Sequence, residues 1–326
     1  MNGPPWRLMG VIAGAAILGA VLWQTGIEPV VTGLTSLDLW TLALGTALAV
    51  PSTVACAWRW HIISRELGVK VDLRPAVASC YRAQFLNCTL PGGVLGDVHR
   101  GVHHGRHAGD AGRGMRAVAW ERLAGQVVQA AIVIVVLLLV PSPVRSVMPA
   151  VVGVLIVVFL VGVLVVRHVP SPEPPSLVGR MLFAIRDDVW RLFMVRHAWK
   201  GVVLASTVAV GFYLATYFLA ARAVGVTASA VTMLPVVLLI FLAAGLPLSL
   251  AGWGPREGMA AWSFGALGLG AEQGVATAVA FAAIVLVGNL PGAAVMVVAS
   301  VRRGRARPVD THPGQHRLAE GAAAHA

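Results

Sequence analysis

Two stretches of the sequence combine a proline, glycines and an arginine in the same order, each directly after an apolar segment. The first is "LPGGVLGDVHR" at residues 90–100 and the second is "LPLSLAGWGPRE" at residues 246–257. In both, a glycine follows the proline by five residues and the arginine follows it by nine. An acid stands near each arginine, Asp97 in the first and Glu257 in the second. A guanidinium beside backbone amides that lack a helical partner is typical of phosphate binding.

A third polar group lies in "AWERLAGQ" at residues 119–126, where another apolar run begins. Glu121 and Arg122 are adjacent, so on a helix they point about 100° apart and cannot share one face. Arg122 has a simple alternative, which is to extend toward a membrane surface. Glu121 gains nothing from an anionic surface, so we expect it to have a buried partner.

The histidines in "HRGVHHGRH" at residues 99–107 raise the question of a metal site, because His99, His103 and His107 recur at i, i+4 spacing. Glycines at 101, 105 and 109 argue against a firm helix, and no acid is placed to complete a ligand set. The stretch is interpreted as a solvated basic loop that touches anionic lipid, and no metal site is predicted.

The composition defines the class of protein that must position these residues. Of 326 residues, 57% are hydrophobic and 12% are charged, with a mean hydropathy of +0.79. Soluble domains contain about 25% charged residues, so this chain is predicted to be an integral membrane protein. The net charge of +11 does not indicate a nucleic-acid partner, because the basic residues fall in short stretches between apolar runs. The three cysteines form no CxxC pair, and neither a disulfide nor a cofactor is predicted.

Within a membrane protein, the two proline-containing stretches predict interrupted helices. Proline lacks an amide hydrogen and clashes with the preceding turn, and the freed backbone groups must line protein or a hydrated cavity. The predicted breaks are Pro91, Gly92, Gly93, Gly96, Pro247, Gly252 and Gly254. The alternative is a pair of plain surface loops. It stays open for Arg100, which a basic loop follows, and is weaker for the Arg256–Glu257 pair, which lies in an otherwise uncharged stretch.

The predicted fold class is an all-α membrane protein with about six full spans and two interrupted segments, because a span takes about 20 apolar residues. The interrupted segments are 76–96 and 231–270. The N-terminal segment is interpreted as a retained span rather than a cleaved signal. The six spans are expected at 8–23, 37–58, 117–140, 148–166, 201–223 and 273–300.

Arginine and lysine placement predicts the orientation of these spans. Both termini and the basic stretches 59–75, 97–116 and 167–200 are expected in the cytoplasm, and the loops 24–36 and 141–147 outside. Because the stretches on either side of 76–96 share one face, that segment must enter the membrane and return. Segment 231–270 must begin and end outside, as a second re-entrant pair or as two short spans.

The chain is predicted to have one polytopic domain, residues 1–308, and a disordered tail, residues 309–326. Its halves, about 37–166 and 201–300, are joined by the linker 167–200. Within the linker, residues 177–193 have apolar side chains at helical spacing with basic ones between, which predicts an amphipathic helix on the inner leaflet.

The motifs "NCTLPGGVLGDVHR", "AWERLAG" and "LPLSLAGWGPREG" resemble the membrane domain of the lysylphosphatidylglycerol synthetase/flippase family. The resemblance covers nearly the whole chain in the order and spacing of its segments. It implies two inverted repeats around a lipid-accessible cavity, each with a re-entrant helix pair. It also implies transfer of a phospholipid between leaflets. The substrate-binding positions carried over by the motifs are Asn87, Asp97, Arg100, Glu121, Arg122, Arg256 and Glu257.

The sequence departs from the synthetase members of that family, which continue into a soluble aminoacyl-transferase domain. Lysyl transfer is therefore not expected here, and no catalytic residue is assigned. The expected function is a flippase for a phospholipid, aminoacylated or not, or for a lipid-linked headgroup in the cytoplasmic membrane. The alternatives are a membrane enzyme or an accessory protein acting on polyprenyl-phosphate or phospholipid headgroups. The expected partners are such a lipid and the anionic inner leaflet; a homodimer and a separate transferase partner stay open.

Overall fold

A computed structural model of the chain describes residues 5–90, 93–140, 177–194, 196–245 and 253–305, with scattered positions between 153 and 168. The elements of this part of the chain are α-helices, which confirms the predicted all-α class. In chain order they are α1 (Pro5–Thr25), α2 (Glu28–Thr35), α3 (Leu39–Glu66), α4 (Leu73–Thr89), α5 (Leu95–His107), α6 (Ala111–Leu139), α7 (Leu177–Met194), α8 (Arg196–Ala223), α9 (Ala230–Ala244), α10 (Pro255–Ala266), α11 (Ala271–Gly288) and α12 (Leu290–Arg305).

Four helical segments among the described residues are long and apolar enough to cross a membrane, and they fall on four of the predicted spans. They are Leu39–Glu66, Ala111–Leu139, Ala198–Ala223 and Ala271–Val301. Helices α1 and α2 pass the same test together, but they are bent by 94°. The span predicted at 148–166 and the tail from 309 lie largely or wholly outside the described residues. The protein is therefore a multi-pass membrane protein.

Helices α4 and α5 form one helical hairpin, and α9 and α10 form another, one in each region where an interrupted segment was predicted. The first differs in its bounds from the predicted segment 76–96, because its second arm, α5, lies almost wholly in the stretch 97–116 that was predicted to face the cytoplasm. Helix α4 ends at Thr89 and α9 ends at Ala244, each shortly before a proline. Gly93 and Gly254 have positive φ angles of 61° and 120° in the two connections, a conformation that favours glycine. The breaks predicted at Pro91, Gly92, Pro247 and Gly252 lie outside the described residues.

Gly96 differs from its prediction as a helix break, because it is the second residue of α5. A side chain at Gly96 would overlap the carbonyl oxygen of Ala83 in α4. The glycine therefore brings the two arms of the hairpin into contact instead of interrupting a helix.

The helix boundaries reveal an internal repeat. Helices α3 and α8 both contain 28 residues and begin 157 positions apart (196 − 39), and α4 and α9 also begin 157 apart (230 − 73). Helices α5 and α10 begin 160 positions apart (255 − 95), as do α6 and α11 (271 − 111). We call α3–α6 the first repeat and α8–α11 the second repeat.

The connection between the two helices of the second hairpin, 245–254, is longer than that of the first, 90–94. The two arginine motifs therefore have different positions relative to the helix that follows each connection. Asp97 and Glu257 are both the third residue of their helix, whereas Arg100 is the sixth of α5 and Arg256 the second of α10. The shared nine-residue proline-to-arginine spacing therefore does not make Arg100 and Arg256 equivalent. The equivalent pair is the two acids.

The histidine stretch forms a helix, contrary to the loop that its glycines predicted. Helix α5 extends to His107. A side chain at Gly101 would crowd Met115, and one at Gly105 would crowd the backbone around Gly114 on α6. Close packing of α5 on α6 requires these glycines, and this packing offsets their weak helix propensity. His104 is half-buried and its Nε2 lies 2.8 Å from the Ser79 hydroxyl.

The predicted amphipathic segment of the linker is helix α7, and it is attached to α6 by a buried carboxylate. Asp188 accepts hydrogen bonds from Arg116 Nε at 2.8 Å and from Trp120 Nε1 at 3.1 Å. These bonds fix the linker helix against the N-terminal part of α6, beside the first hairpin.

Candidate lipid headgroup site

A cavity of about 150 Å³ lies between the first repeat and helix α8. It accommodates a phosphate-sized group with a few waters, but not a whole lipid, whose chains would have to remain in the bilayer. Helices α3, α4, α5, α6 and α8 all contribute to its wall. The lining residues are Cys56, Arg59, Cys80, Ala83, Gln84, Asp97, Arg100, Glu121, Arg122, Gly125, Gln126, Gln129, Ser206, Ala209, Val210 and Tyr213.

Glu121 is the centre of a buried ion network in this cavity. Its Oε1 accepts a hydrogen bond from Arg59 Nε at 2.8 Å, and its Oε2 accepts one from Arg100 Nη2 at 2.9 Å. The side chains of Glu121 and Arg100 are each only 3% exposed. The buried partner expected for Glu121 is therefore a pair of arginines, one from α3 and one from α5.

Arg59 was assigned to a cytoplasmic loop in the sequence, and the structure corrects this. It lies within α3, buried, and its Nη1 also donates to the Ser206 hydroxyl of α8 at 3.1 Å. A side chain at Gly125 of α6 would collide with the Arg59 guanidinium, so this glycine provides the space for it. The signal that could have identified Arg59 was the apolar spacing of Trp60 and Ile63, which continues the helix past the charge.

Asp97 forms the second anionic centre of the network. Its Oδ1 accepts from Arg100 Nη2 at 3.0 Å, and its Oδ2 accepts from Asn87 Nδ2 at 2.9 Å and from Arg122 Nη2 at 2.5 Å. Asn87 Oδ1 in turn accepts from the backbone amide of Gly96 at 2.8 Å. The Gly96 amide, in the first turn of α5, thus fixes Asn87 against Asp97.

Arg100 is held on several sides. Its Nη1 lies 3.0 Å from the Cys80 sulfur, and its guanidinium carbon lies 4.5 Å from the centre of the Trp60 ring. This is the geometry of a cation–π interaction. Its Nε is buried and has no hydrogen-bond partner among the described residues. Arg100 is a rigid component of the cavity wall with one unused donor.

Arg122 is the most accessible cation of the network. Its side chain is 50% exposed, against 9% for Arg59 and 3% for Arg100. Three guanidinium groups face two carboxylates in the network, so its formal charge is +1 (3 − 2). The excess positive charge is available at Arg122, because Arg59 and Arg100 are enclosed.

The second arginine motif forms a separate pair. Arg256 Nη2 lies 2.6 Å from Glu257 Oε1, and Glu257 Oε2 accepts from the Gly254 amide at 2.7 Å, which caps α10. Arg256 also lies 5.6 Å from the centre of the Phe281 ring. Neither Arg256 nor Glu257 lines the cavity described above.

The structure therefore groups the predicted site residues into two sets. Asn87, Asp97, Arg100, Glu121 and Arg122 belong to the network, and Arg256 and Glu257 belong to the separate pair. Sequence reasoning missed the neutral polar lining, which gave no motif of its own. This lining comprises Gln84, Gln126, Gln129 and Ser206. Among the described residues, no group of three or more His, Cys, Asp or Glu side chains could hold a metal ion.

Residues 7–292 match the family described as the lysylphosphatidylglycerol synthase TM region. This match covers most of the chain, and the protein belongs to that family. No curated protein matches the chain at a significant level. The family and the apolar helices together define a membrane protein that acts on lipids.

Proposed function

We propose that this protein is a flippase that moves a phospholipid or a lipid-linked headgroup across the cytoplasmic membrane. The observation that supports the proposal most directly is the cavity with a network charge of +1 whose exposed cation is Arg122. A lipid phosphate that enters this cavity would neutralise the excess charge and form charge-assisted hydrogen bonds. Buried charge in a membrane protein is costly, and it typically marks a substrate pathway.

The position of the cavity also favours transport. The first helical hairpin, α4–α5, forms one part of the wall, and α8 of the second repeat forms another. Transporters commonly place substrate between structural repeats, at interrupted helices, so that movement of one repeat against the other changes access. A small cavity that binds only the headgroup suits a lipid whose chains stay in the bilayer throughout.

Leaflet exchange in vesicles tests this proposal. The purified full chain is reconstituted with fluorescent phosphatidylglycerol, and label in the outer leaflet is destroyed with a membrane-impermeant reductant. We expect exchange faster than in protein-free vesicles. We expect Arg122→Gln to slow it about tenfold, because one charge-assisted hydrogen bond to the phosphate is lost.

The matched control is Arg113→Gln, which removes an exposed arginine from the same helix and outside the cavity. This variant should exchange lipid at the wild-type rate, and both variants should unfold at similar temperatures in detergent. Exchange no faster than in protein-free vesicles, for every phospholipid and polyprenyl phosphate tried, would contradict the proposal.

A membrane enzyme is another function that the sequence left open, and Asp97 and Glu121 are the acids in the cavity that could act as its base. Each oxygen of these two carboxylates already accepts a hydrogen bond from an arginine, so neither carboxylate has an oxygen without an arginine partner to accept a substrate proton. Incubation of the protein with phospholipid and polyprenyl phosphate, followed by mass spectrometry, tests this function. A new product that Asp97→Asn abolishes would favour the enzyme over the flippase.

A further inference from the structure

We infer that an anionic phospholipid of the inner leaflet binds in a second cavity, between helices α6 and α7, with its phosphate between Arg116 and Arg180. This cavity has a volume of about 200 Å³ and is lined by Arg116, Arg180, Phe183, Ala184 and Asp187. We call it the linker cavity. It shares no lining residue with the headgroup cavity described above, so lipid binding there does not depend on the proposed function.

Arg116 is held in position by a buried carboxylate. Its Nε donates to Asp188 at 2.8 Å, and Asp188 is buried and also accepts from Trp120. Because this bond uses Nε, it orients the guanidinium without involving the two terminal nitrogens. The Arg116 side chain is 29% exposed. It therefore presents a positioned cation that a ligand in the linker cavity can reach.

The charges around the linker cavity favour an anion. Arg180 is exposed and lines the cavity from α7. Arg116 pairs with Asp188, and Arg191 pairs with Asp187 at 2.8 Å. These described side chains comprise three arginines and two carboxylates, so their formal charge is +1 (3 − 2). A phosphodiester would neutralise this charge and accept charge-assisted hydrogen bonds from Arg116 and Arg180.

The surroundings of the linker cavity favour a lipid over a soluble anion. Phe183 and Ala184 form an apolar part of its wall. Arg116 is the sixth residue of α6, a helix that is long and apolar enough to cross the membrane. Trp190 of α7 and Trp199 of α8 are exposed, as is typical of side chains at the level of the lipid headgroups. An amphipathic helix at this level attracts anionic lipid.

A lipid bound in the linker cavity would contact both α6 of the first repeat and the linker helix α7. Its phosphate would lie between the two arginines, and its glycerol and upper acyl chains would lie against the apolar part of the wall. It would thus add to the Asp188 contacts that fix α7 against α6.

Mass spectrometry that preserves bound lipids tests this inference on the purified full chain in detergent. We expect the wild-type protein to retain phosphatidylglycerol. Arg180→Gln should bind one phosphatidylglycerol about tenfold more weakly, because one charge-assisted hydrogen bond to the phosphate is lost. Arg180 is the position to change because it is exposed, whereas loss of Arg116 would leave the buried Asp188 without its ion pair.

Asp187→Asn provides the opposite change, since Asp187 is the acid that lines the linker cavity. This variant should bind phosphatidylglycerol about threefold more tightly, and a gain of binding cannot result from a folding defect. The matched control is Arg113→Gln, which removes an exposed arginine of α6 that lines neither cavity and should leave binding unchanged. Unchanged binding in either Arg180→Gln or Asp187→Asn would overturn the inference.

The same titration separates the linker cavity from the headgroup cavity. Arg180→Gln should weaken binding by the same factor in the wild-type protein and in the Arg122→Gln variant, because the two cavities share no residue. If the effect of Arg180→Gln disappears in Arg122→Gln, both arginines bind one lipid and the inference is wrong. If only Arg180→Gln weakens binding, the flippase proposal loses its support at Arg122 and the inference stands.

Two further probes identify the chemistry that the linker cavity recognises. Soluble glycerol phosphate, at the concentration of phosphatidylglycerol, should not displace the lipid that depends on Arg180. Displacement would show a site for a free phosphate rather than for a lipid. Phosphatidylcholine should bind more weakly than phosphatidylglycerol, because its net charge is zero. Equal binding of the two lipids would show that charge does not select the ligand, and it would also overturn the inference.

Discussion

The two repeats share the order and the spacing of the starting positions of their helices but differ in what fills the space between the helices. In the first repeat, Arg100 lies over Trp60 and binds Glu121. The equivalent positions of the second repeat are Ala260 (100 + 160), Tyr217 (60 + 157) and Phe281 (121 + 160). The rings of Tyr217 and Phe281 are 5.3 Å apart and belong to the largest buried apolar cluster among the described residues.

This difference shows how one helical framework can serve two purposes. The second repeat is packed with apolar and aromatic side chains, which stabilise the fold through burial and ring contacts. The first repeat has charges in the corresponding place, and a cavity remains beside them. Charged networks stabilise a fold less reliably than apolar packing does, and the cavity beside this network is where we propose that the headgroup binds.

The largest effect is expected from Glu121→Gln, which removes the shared acceptor of Arg59 and Arg100. Two buried guanidinium groups would lose a counter-charge, so the free energy of unfolding should fall by about 3 to 5 kcal/mol. Thermal unfolding in detergent measures this. Glu272→Gln, at an exposed position in the first turn of α11, should have little effect. Equal stability of the two variants would show that the network does not hold the first repeat together.

An intermediate effect is expected at two glycines that the repeat makes equivalent, Gly114 and Gly274 (274 − 114 = 160). A side chain at either position would overlap a carbonyl oxygen of the preceding helix, that of Gly101 or that of Ala260. Gly114→Ala and Gly274→Ala should therefore each destabilise the protein, by about 1 to 3 kcal/mol.

Gly211→Ala is the control for both substitutions, because a side chain at Gly211 would meet nothing within 4 Å. It should be neutral or slightly stabilising, since alanine favours a helix over glycine. If one glycine of the pair tolerates alanine and the other does not, the packing of α5 on α6 is not equivalent to the packing of α10 on α11, contrary to what the helix boundaries indicate.

The smallest effect is expected from Glu257→Gln. This variant weakens the cap of α10 and the ion pair with Arg256, but it retains an oxygen that can accept from the Gly254 amide. The loss of stability should be about 1 to 2 kcal/mol. Lipid exchange should change less than in Arg122→Gln, because this pair does not line the cavity. A larger loss of exchange than in Arg122→Gln would place the substrate at the second hairpin instead.

The two interruptions of the apolar segments and four of the spans were predictable because they depend on local chemistry. Proline and glycine interrupt a helix through their own backbones, and a run of apolar residues is sufficient to specify a buried or lipid-facing helix. The histidine stretch shows where this reasoning fails. Its glycines predicted a loop, but the stretch forms helix α5, which packs on α6. Close packing of two helix backbones requires residues without side chains at the contact, and these glycines provide them.

The candidate site was predictable only in part, because its motifs are local but its ion pairs join helices that are far apart in sequence. Motifs identified Asp97, Arg100 and Glu121, because charge in an apolar chain stands out. Arg59 was placed in a loop. The spacing of Trp60 and Ile63 is a signal that α3 continues past it, but nothing in the sequence shows that α3 meets α6 62 residues later (121 − 59).

The sequence by itself determined that this is an all-α membrane protein with two interrupted segments and an unusual set of charged residues beside them. Only the tertiary structure decided which charges neutralise one another and which remain available. Burial within a membrane depends on composition, which any stretch of chain reveals. Ion pairing depends on distances of a few ångströms between helices far apart in sequence, and helix packing alone sets those distances.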